Sequence, residues 1–444
     1  MASLVASSAS PASQVPPQQP LRGVAAVAIQ ESGYKMVFGA GRAVEAKLPH
    51  LLVCVLLLGL ADSMIGPYLV LFGTDRARLS PFQVGVFLSV IAVSGLFVTH
   101  WLGRRYDRGA GRWPAFVAVL APAVGYLALS TTPRYALLLV IGVGLLGAGL
   151  AAFSQVFALA RTHLDRATGG ESRRGTLALR SAFSIAFVIG PIVGSAALAW
   201  RGYGGLLLLT SLAFALISAP LLLLGATPVT GTAPRSRAPT RLRRPVLLVA
   251  ASFTLFNTAM CAGGVALPLY LTRTLARPVQ DVGLLASTCA LAEIPAALSL
   301  MLLPARVRQH RVLLLGMLLF VVYFVLVPAS SSLPLLLAAQ VARGGAIAAV
   351  NALGIAYMQD LMPEAPGRAS ALFANAFITA SLVSGLVAGA TAQALGYRAA
   401  LLLCALISAA GCVLLIGARP VPRELATTAG PAPVSAPAPR HAGD

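Results

Sequence analysis

Apolar residues in this 444-residue chain come in blocks of roughly 17–25, each long enough to cross about 30 Å of hydrocarbon as a helix. Short charged or Gly/Pro-rich breaks separate the blocks. Read in order, they predict twelve helical spans near 49–72, 81–102, 113–130, 134–160, 178–200, 205–225, 246–272, 281–303, 312–329, 334–358, 369–395 and 399–418. Connections this short make neighbouring spans antiparallel. One long polar interruption, 226–245, carries Arg235, Arg237, Arg241, Arg243 and Arg244. It divides the spans into two sets of six, 49–225 and 246–418. The ends, 1–48 and 419–444, are Ala/Ser/Pro-rich and are expected to be disordered tails. No signal peptide is expected, because its apolar region would start within the first several residues.

The two sets repeat weakly. Pro67-Tyr68-Leu69 is echoed by Pro268-Leu269-Tyr270, and Pro81-Phe82-Gln83-Val84-Gly85 by Pro278-Val279-Gln280-Asp281-Val282-Gly283. Gly190 and Gly194 match Gly385 and Gly389 at one offset of 195. Three matches in the same order point to duplication, and parallel six-helix repeats with a site at their interface are a transporter architecture.

Composition agrees with the pattern. Apolar residues are 58%, charged residues 10%, and mean hydropathy is +0.84, against about 25% charged residues in soluble domains. A soluble enzyme and a secreted disulfide scaffold are thereby excluded. The net charge of +20 does not indicate nucleic acid, because the basic residues sit between apolar blocks rather than on one face with aromatics. They instead set topology. Seven lie in outer loops (Arg76, Arg78, Arg134, Arg201, Arg273, Arg277, Arg398), Arg180 and Arg343 lie within spans, and the other 24 lie in inner segments. By the positive-inside rule both termini are cytoplasmic. Cys54, Cys261, Cys289, Cys404 and Cys412 all fall inside spans without C-x-x-C spacing, and no histidine pair has ligand spacing. No metal or cofactor is expected.

A charge near the bilayer centre costs roughly 2.5–3.5 kcal/mol, so it should face a cavity or a partner. Asp62, Arg180, Glu293 and Arg343 are such charges, on spans 1, 5, 8 and 10. Spans 3, 6, 9 and 12 have none, which suggests an outer lipid-facing set and an inner set around a polar cavity. A carboxyl away from water favours its neutral form, which makes Glu293 a candidate proton carrier; the alternative is a structural Glu neutralised by a neighbour. Asp62 and Arg343 could pair across the cavity, either for function or only to fix packing. Arg180 could snorkel to the inner face. Gln155, Asn257, Gln340, Asn351 and Asn375 supply paired donors and acceptors suited to hydroxyl-rich ligands, or simply join helices. Gly190-Pro191-x-x-Gly194 and Gly385-x-x-x-Gly389 allow close helix approach and read as packing or hinge devices.

The loop after span 2 reads Gly103-Arg104-Arg105-Tyr106-Asp107-Arg108-Gly109-Ala110-Gly111-Arg112. It resembles the cytoplasmic G-x-x-x-D-[RK]-x-G-[RK] signature of the major facilitator superfamily, with one extra residue before the second glycine. Within that superfamily the chain is similar to bacterial sugar efflux transporters over residues 50–418. The resemblance is carried by Gln155-Val156-Phe157-Ala158-Leu159-Ala160-Arg161, Arg180 ahead of Val188-Ile189-Gly190-Pro191, Asn257-Thr258, Glu293-Ile294-Pro295 and Gln359-Asp360-Leu361-Met362-Pro363. It implies the major facilitator fold, twelve transmembrane helices in two pseudo-symmetric bundles, and proton-driven export of sugars and glycosides. Asp62, Ala266 and Arg343 depart from the family pattern, which suggests a rearranged binding site.

The resulting expectation is an exporter of sugar-like solutes by proton antiport and alternating access, without enzymatic activity. Glu293 and then Asp62 are the expected proton sites. Gln155, Asn257, Asn351, Arg343 and Arg180 are the expected solute contacts. Gly103, Asp107, Arg108 and Arg112 form the expected inner gate. Its partners would be the solute, protons and lipid, and it would be a monomer in a bacterial inner membrane. A multidrug antiporter of the same superfamily is the alternative. An aromatic-lined cavity would mark it, and the only tryptophans, Trp101, Trp113 and Trp200, lie near span ends. A membrane-embedded transferase would need acidic clusters, and no two acidic residues are adjacent.

Overall fold

The computed structural model describes residues 21–109, 111–168, 173–224, 242–302, 304 and 307–418. The linker expected at 226–245 lies outside them as far as residue 241, as do residues 1–20 and the tail from 419. Among the described residues there is no strand, and ten helices are long and apolar enough to cross a membrane. Two of these are 49 and 52 residues long, about 74 and 78 Å at 1.5 Å per residue, more than twice a bilayer's hydrocarbon. Each is broken once. One break is at Arg201–Gly202, with Gly202 at φ 63°, and the other is at Gly396, φ 87°. Both glycines are left-handed, where a side chain would be strained. Cut there, ten helices become twelve segments, and the cuts fall where the sequence expects connections.

The segments are α1 (Leu48–Asp75), α2 (Pro81–Asp107), α3 (Trp113–Thr131), α4 (Tyr135–Leu164), α5 (175–200), α6 (203–223), α7 (Arg244–Thr274), α8 (Val279–Met301), α9 (Gln309–Ala329), α10 (Leu333–Leu361), α11 (366–395) and α12 (397–417). Helical backbone continues from α1 back to Leu21, into the stretch expected as a disordered tail. The repeated Pro-x-Gln element is a helix start. Ser80 Oγ accepts from Gln83 N at 3.2 Å, Gln83 Oε1 accepts from Ser80 N at 2.9 Å, and Pro81 is the first helical residue, a complete capping box. In the second copy Arg277 instead bonds Asp281 at 2.6 Å.

Two segments depart from α geometry. α4 contains a π-helical turn, Gly142–Leu146, and α7 ends in another, Tyr270–Thr274. The first is wedged into its neighbours. Ser94 of α2 donates to Val143 O, and a Cβ on Gly125 of α3 would stand 2.8 Å from Leu146.

Each half has its own core. In the first, α1 packs on α5 and α6, and α3 on α6, with Tyr126 and Phe214 stacked at 5.8 Å. In the second, Phe256, Phe320, Tyr323 and Phe324 form a fully buried aromatic wall between α7 and α9. The halves meet along α2–α11 and α5–α8, with α1 beside α7. Call the end where α1 stops and α2 starts the outer end. There Gly85 lies against Gly385 O, Gly389 against Pro81 O, and Gly283 against Pro191 O. Gln393 accepts from Phe82 N at 3.2 Å, and Arg273 pairs with Asp75. All of these contacts lie in the outer parts of their helices.

Candidate functional site

The site is built on α1, whose flanks are occupied by its own half. Gly59 lies under Phe183 and Ala186, and Ser63 Oγ donates to Gly59 O at 2.6 Å and Ala186 O at 3.3 Å. Tyr68 donates to Pro191 O at 2.8 Å, and Cys54 points at Ile217 of α6. Two faces of α1 remain open. One carries exposed Val53 and Leu56; the other carries exposed Asp62 and Gly66. Val53 is nine residues from Asp62, half a turn around at about 100° per residue. A Cβ on Gly66 would meet nothing within 4 Å. Asp62 is within electrostatic reach of Tyr126 on α3 and makes no hydrogen bond or ion pair among the described residues.

The second half contributes a connected polar group. Gly344 of α10 crosses α8 so closely that its Cβ position is 2.6 Å from Cys289 O and 3.0 Å from Glu293 N. This crossing sets Arg343 beside Glu293. The Glu293 carboxyl has Asn351, one face over on α10, beside it, with Arg343 and Arg180 within electrostatic reach. Arg343 donates to Gln340 Oε1 at 3.3 Å and lies 5.7 Å over the Tyr323 ring. Fully buried Gln340 donates to the Tyr323 hydroxyl at 3.1 Å. Arg343 Nε is buried without a partner, a costly state for a charged donor. No ion pair joins Arg343 to Asp62 or to Glu293 among the described residues.

The other expected contacts divide by exposure. Asn351 and Arg180 are exposed, and Arg343 is half-buried. Gln155 and Asn257 are buried at 4% and 3%; Asn257 bonds Phe253 O at 2.8 Å, and Gln155 Oε1 has no partner. In the loop motif, Gly109 and Gly111 are left-handed at φ 86° and 61°, which accounts for glycine there. Gly103 faces open space, Arg108 caps α2, and Asp107 ends that helix. Arg112 donates to Leu222 O at 2.9 Å, fastening the loop to α6. Gly190 and Gly194 pack α5 on Ser63, Met64 and Tyr68 of α1, whereas Gly385 and Gly389 pack α11 on α2 of the other half.

Two features escaped the sequence reading. At the outer end the Tyr203 hydroxyl donates to Asp75 Oδ2 at 2.5 Å while Arg273 pairs with the same carboxylate. Asp75 and Arg273 end corresponding spans of the two repeats, a signal the pattern of spans leaves aside because Arg273 counts there as a loop charge and Asp75 does not figure. Between α4 and α5, Phe153, Phe157, Phe183 and Phe187 form a continuous ring cluster with centroids 4.4–6.1 Å apart, and Phe153 is 48% exposed. Its signature is an i,i+4 pair of phenylalanines on each helix.

The Major Facilitator Superfamily pattern matches residues 248–441. A Deinococcus radiodurans protein provisionally named a sugar efflux transporter is 39% identical over 85% of this chain and 100% of its own. Sugar efflux transporter A of Dickeya chrysanthemi is 32% identical over 78% of this chain and 89% of its own. Sugar efflux transporter B of Salmonella typhimurium is 30% identical over 78% and 89%. In fold the chain is similar to a mutant form of the nucleoside transporter NupG, with TM-score 0.73 and 15% identity over 83% of this chain and 99% of that one. It is also similar to an inward-facing bacterial homologue of the human lysosomal transporter Spinster, with TM-score 0.64 and 12% identity over 84% and 96%.

Proposed function

The chain belongs to the sugar efflux transporter family of the major facilitator superfamily, and from that premise we propose that it exports sugars or sugar-like small solutes by proton antiport. The observations that carry this reading are the cross-half contacts at the outer end and the exposure of Asp62, Arg180 and Asn351, polar residues set within spans of both halves. A solute reaches the midplane from inside, and rocking of the halves presents it to the other side. Asn351 and Arg343 contact the solute, with Gln155 and Asn257 behind them. Glu293, and secondarily Asp62, carries the proton: neither is held in an ion pair in this state, so each is free here to release or take up a proton. Asp107 with Gly103, Arg108 and Arg112 sets the inner gate. The protein works as a monomer without cofactor in a bacterial inner membrane, both termini in the cytoplasm.

The test is efflux of labelled sugars from cells, with and without a protonophore, for wild type and Glu293→Gln. Wild-type efflux should collapse with the gradient, and Glu293→Gln should lose the gradient-driven part. Efflux that stays fast and gradient-sensitive in Glu293→Gln removes the proton from that residue. A second reading, multidrug antiport, is favoured by the partly exposed phenylalanine cluster. Drug resistance without sugar efflux in the same cells would establish it instead.

A further inference from the structure

Arg180 on α5 and Glu293 on α8 occupy matched positions on two helices that make a close backbone contact further out. The contact is at Gly283, whose Cβ would stand 2.6 Å from Pro191 O. Counting inward from it, Arg180 is eleven residues down α5 and Glu293 ten residues down α8, about 16 and 15 Å at 1.5 Å per residue. Eleven residues at about 100° each return to within about 20° of the starting face, so Arg180 projects from the face of α5 that Pro191 presents to α8. Glu293 is about 80° round from the Gly283 face. The two charges are within electrostatic reach without forming an ion pair. Arg180 is exposed and makes no hydrogen bond among the described residues, while Glu293 has Asn351 of its own half beside it.

We propose that Arg180 and Glu293 form the inner latch, the cross-half ion pair that closes the inner end when Asp75–Arg273 opens at the outer end. The proposal rests on the alternating-access reading above and adds the element that holds the second state. Rocking α5 against α8 about the Pro191–Gly283 contact brings the two side chains together, and the Glu293 carboxylate turns from its own half to Arg180. A protonated Glu293 cannot pair, so a proton arriving from outside releases the latch and returns the protein to the inward-open state. The groups facing Glu293 are Arg180 from α5, Arg343 and Asn351 from α10, and Cys289 on its own helix. Of these only Arg180 belongs to the opposite half, so only its pairing distinguishes the two states.

The experiment uses the full chain in cells, with the five native cysteines replaced by alanine and Gly66→Cys as reporter of outward opening. The readout is labelling by an impermeant thiol reagent added outside. Asp75→Asn should speed labelling, and Arg180→Gln should slow it about five-fold, the scale of one solvated ion pair on a two-state balance. The swap Arg180→Glu with Glu293→Arg should restore the parent rate, which also shows that the single variants are folded. Labelling of Arg180→Gln at the parent rate, or a swap no faster than Arg180→Glu alone, overturns the latch while a fast Asp75→Asn leaves alternating access standing. No labelling from outside in any variant, Asp75→Asn included, overturns both.

Discussion

Two glycine seams show how one sequence device does two jobs. In α5, Gly190 and Gly194 let the helix lie on Met64 and Tyr68 of α1, inside one half. In α11, at the same spacing 195 residues later, Gly385 and Gly389 let the helix lie on Gly85 and Pro81 of the opposite half. The first seam joins helices of one bundle that pack as a unit. The second joins bodies that must part for the outer end to open. Small residues therefore mark close approach without saying whether the contact is permanent.

Bulk added to each seam separates the two roles. Gly194→Val drives a side chain into Met64 O and to 2.8 Å from Tyr68, where backbone cannot yield. It should cost about 3 kcal/mol by overpacking, read as a lowered melting temperature and loss of monodisperse protein. Gly389→Val meets Pro81 O at 2.5 Å and Gly85 Cα at 3.1 Å, but here the halves can separate. The protein should stay folded while efflux falls about ten-fold, equivalent to roughly 1.4 kcal/mol. If Gly389→Val unfolds the protein as readily as Gly194→Val, the second seam is as permanent as the first. Asp75→Asn removes a partly exposed cross-half pair and should shift the conformational balance by up to about 1 kcal/mol without altering melting. Gly66→Ala adds a methyl where no atom lies within 4 Å. It should raise stability by about 0.5 kcal/mol through helix propensity alone, and any loss of stability would mean that face of α1 is packed.

Much of the architecture was legible because it depends on local rules. Hydrophobic length marked the spans, and the breaks at Arg201–Gly202 and Gly396 fall between spans the pattern had already separated. The expense of burying charge singled out Glu293 and Arg343, which the α8–α10 crossing sets side by side. What stayed hidden depends on the relative placement of distant helices. Nothing local says that Asp75 meets Arg273 and Tyr203, nor that Asn257 spends its amide on its own helix while Asn351 turns to Glu293. The phenylalanine cluster was missed for a simpler reason: aromatic lining was weighed by tryptophan, and the rings that gather between α4 and α5 are phenylalanines.

The π-helical turn Tyr270–Thr274 places one residue more in the end of α7 than a regular helix would hold there. Deleting a single amino acid from it would let the coil tighten to ordinary α spacing while the helix on either side keeps its phase, because the widened turn alone absorbs the extra residue. Arg273 lies inside that turn, so it would be displaced around the axis and off Asp75 although every side chain of the pair was still encoded. The reading frame of that turn is thus as much a part of the outer closure as the charges themselves, and a gene variant shorter by one codon would disable it without touching either partner.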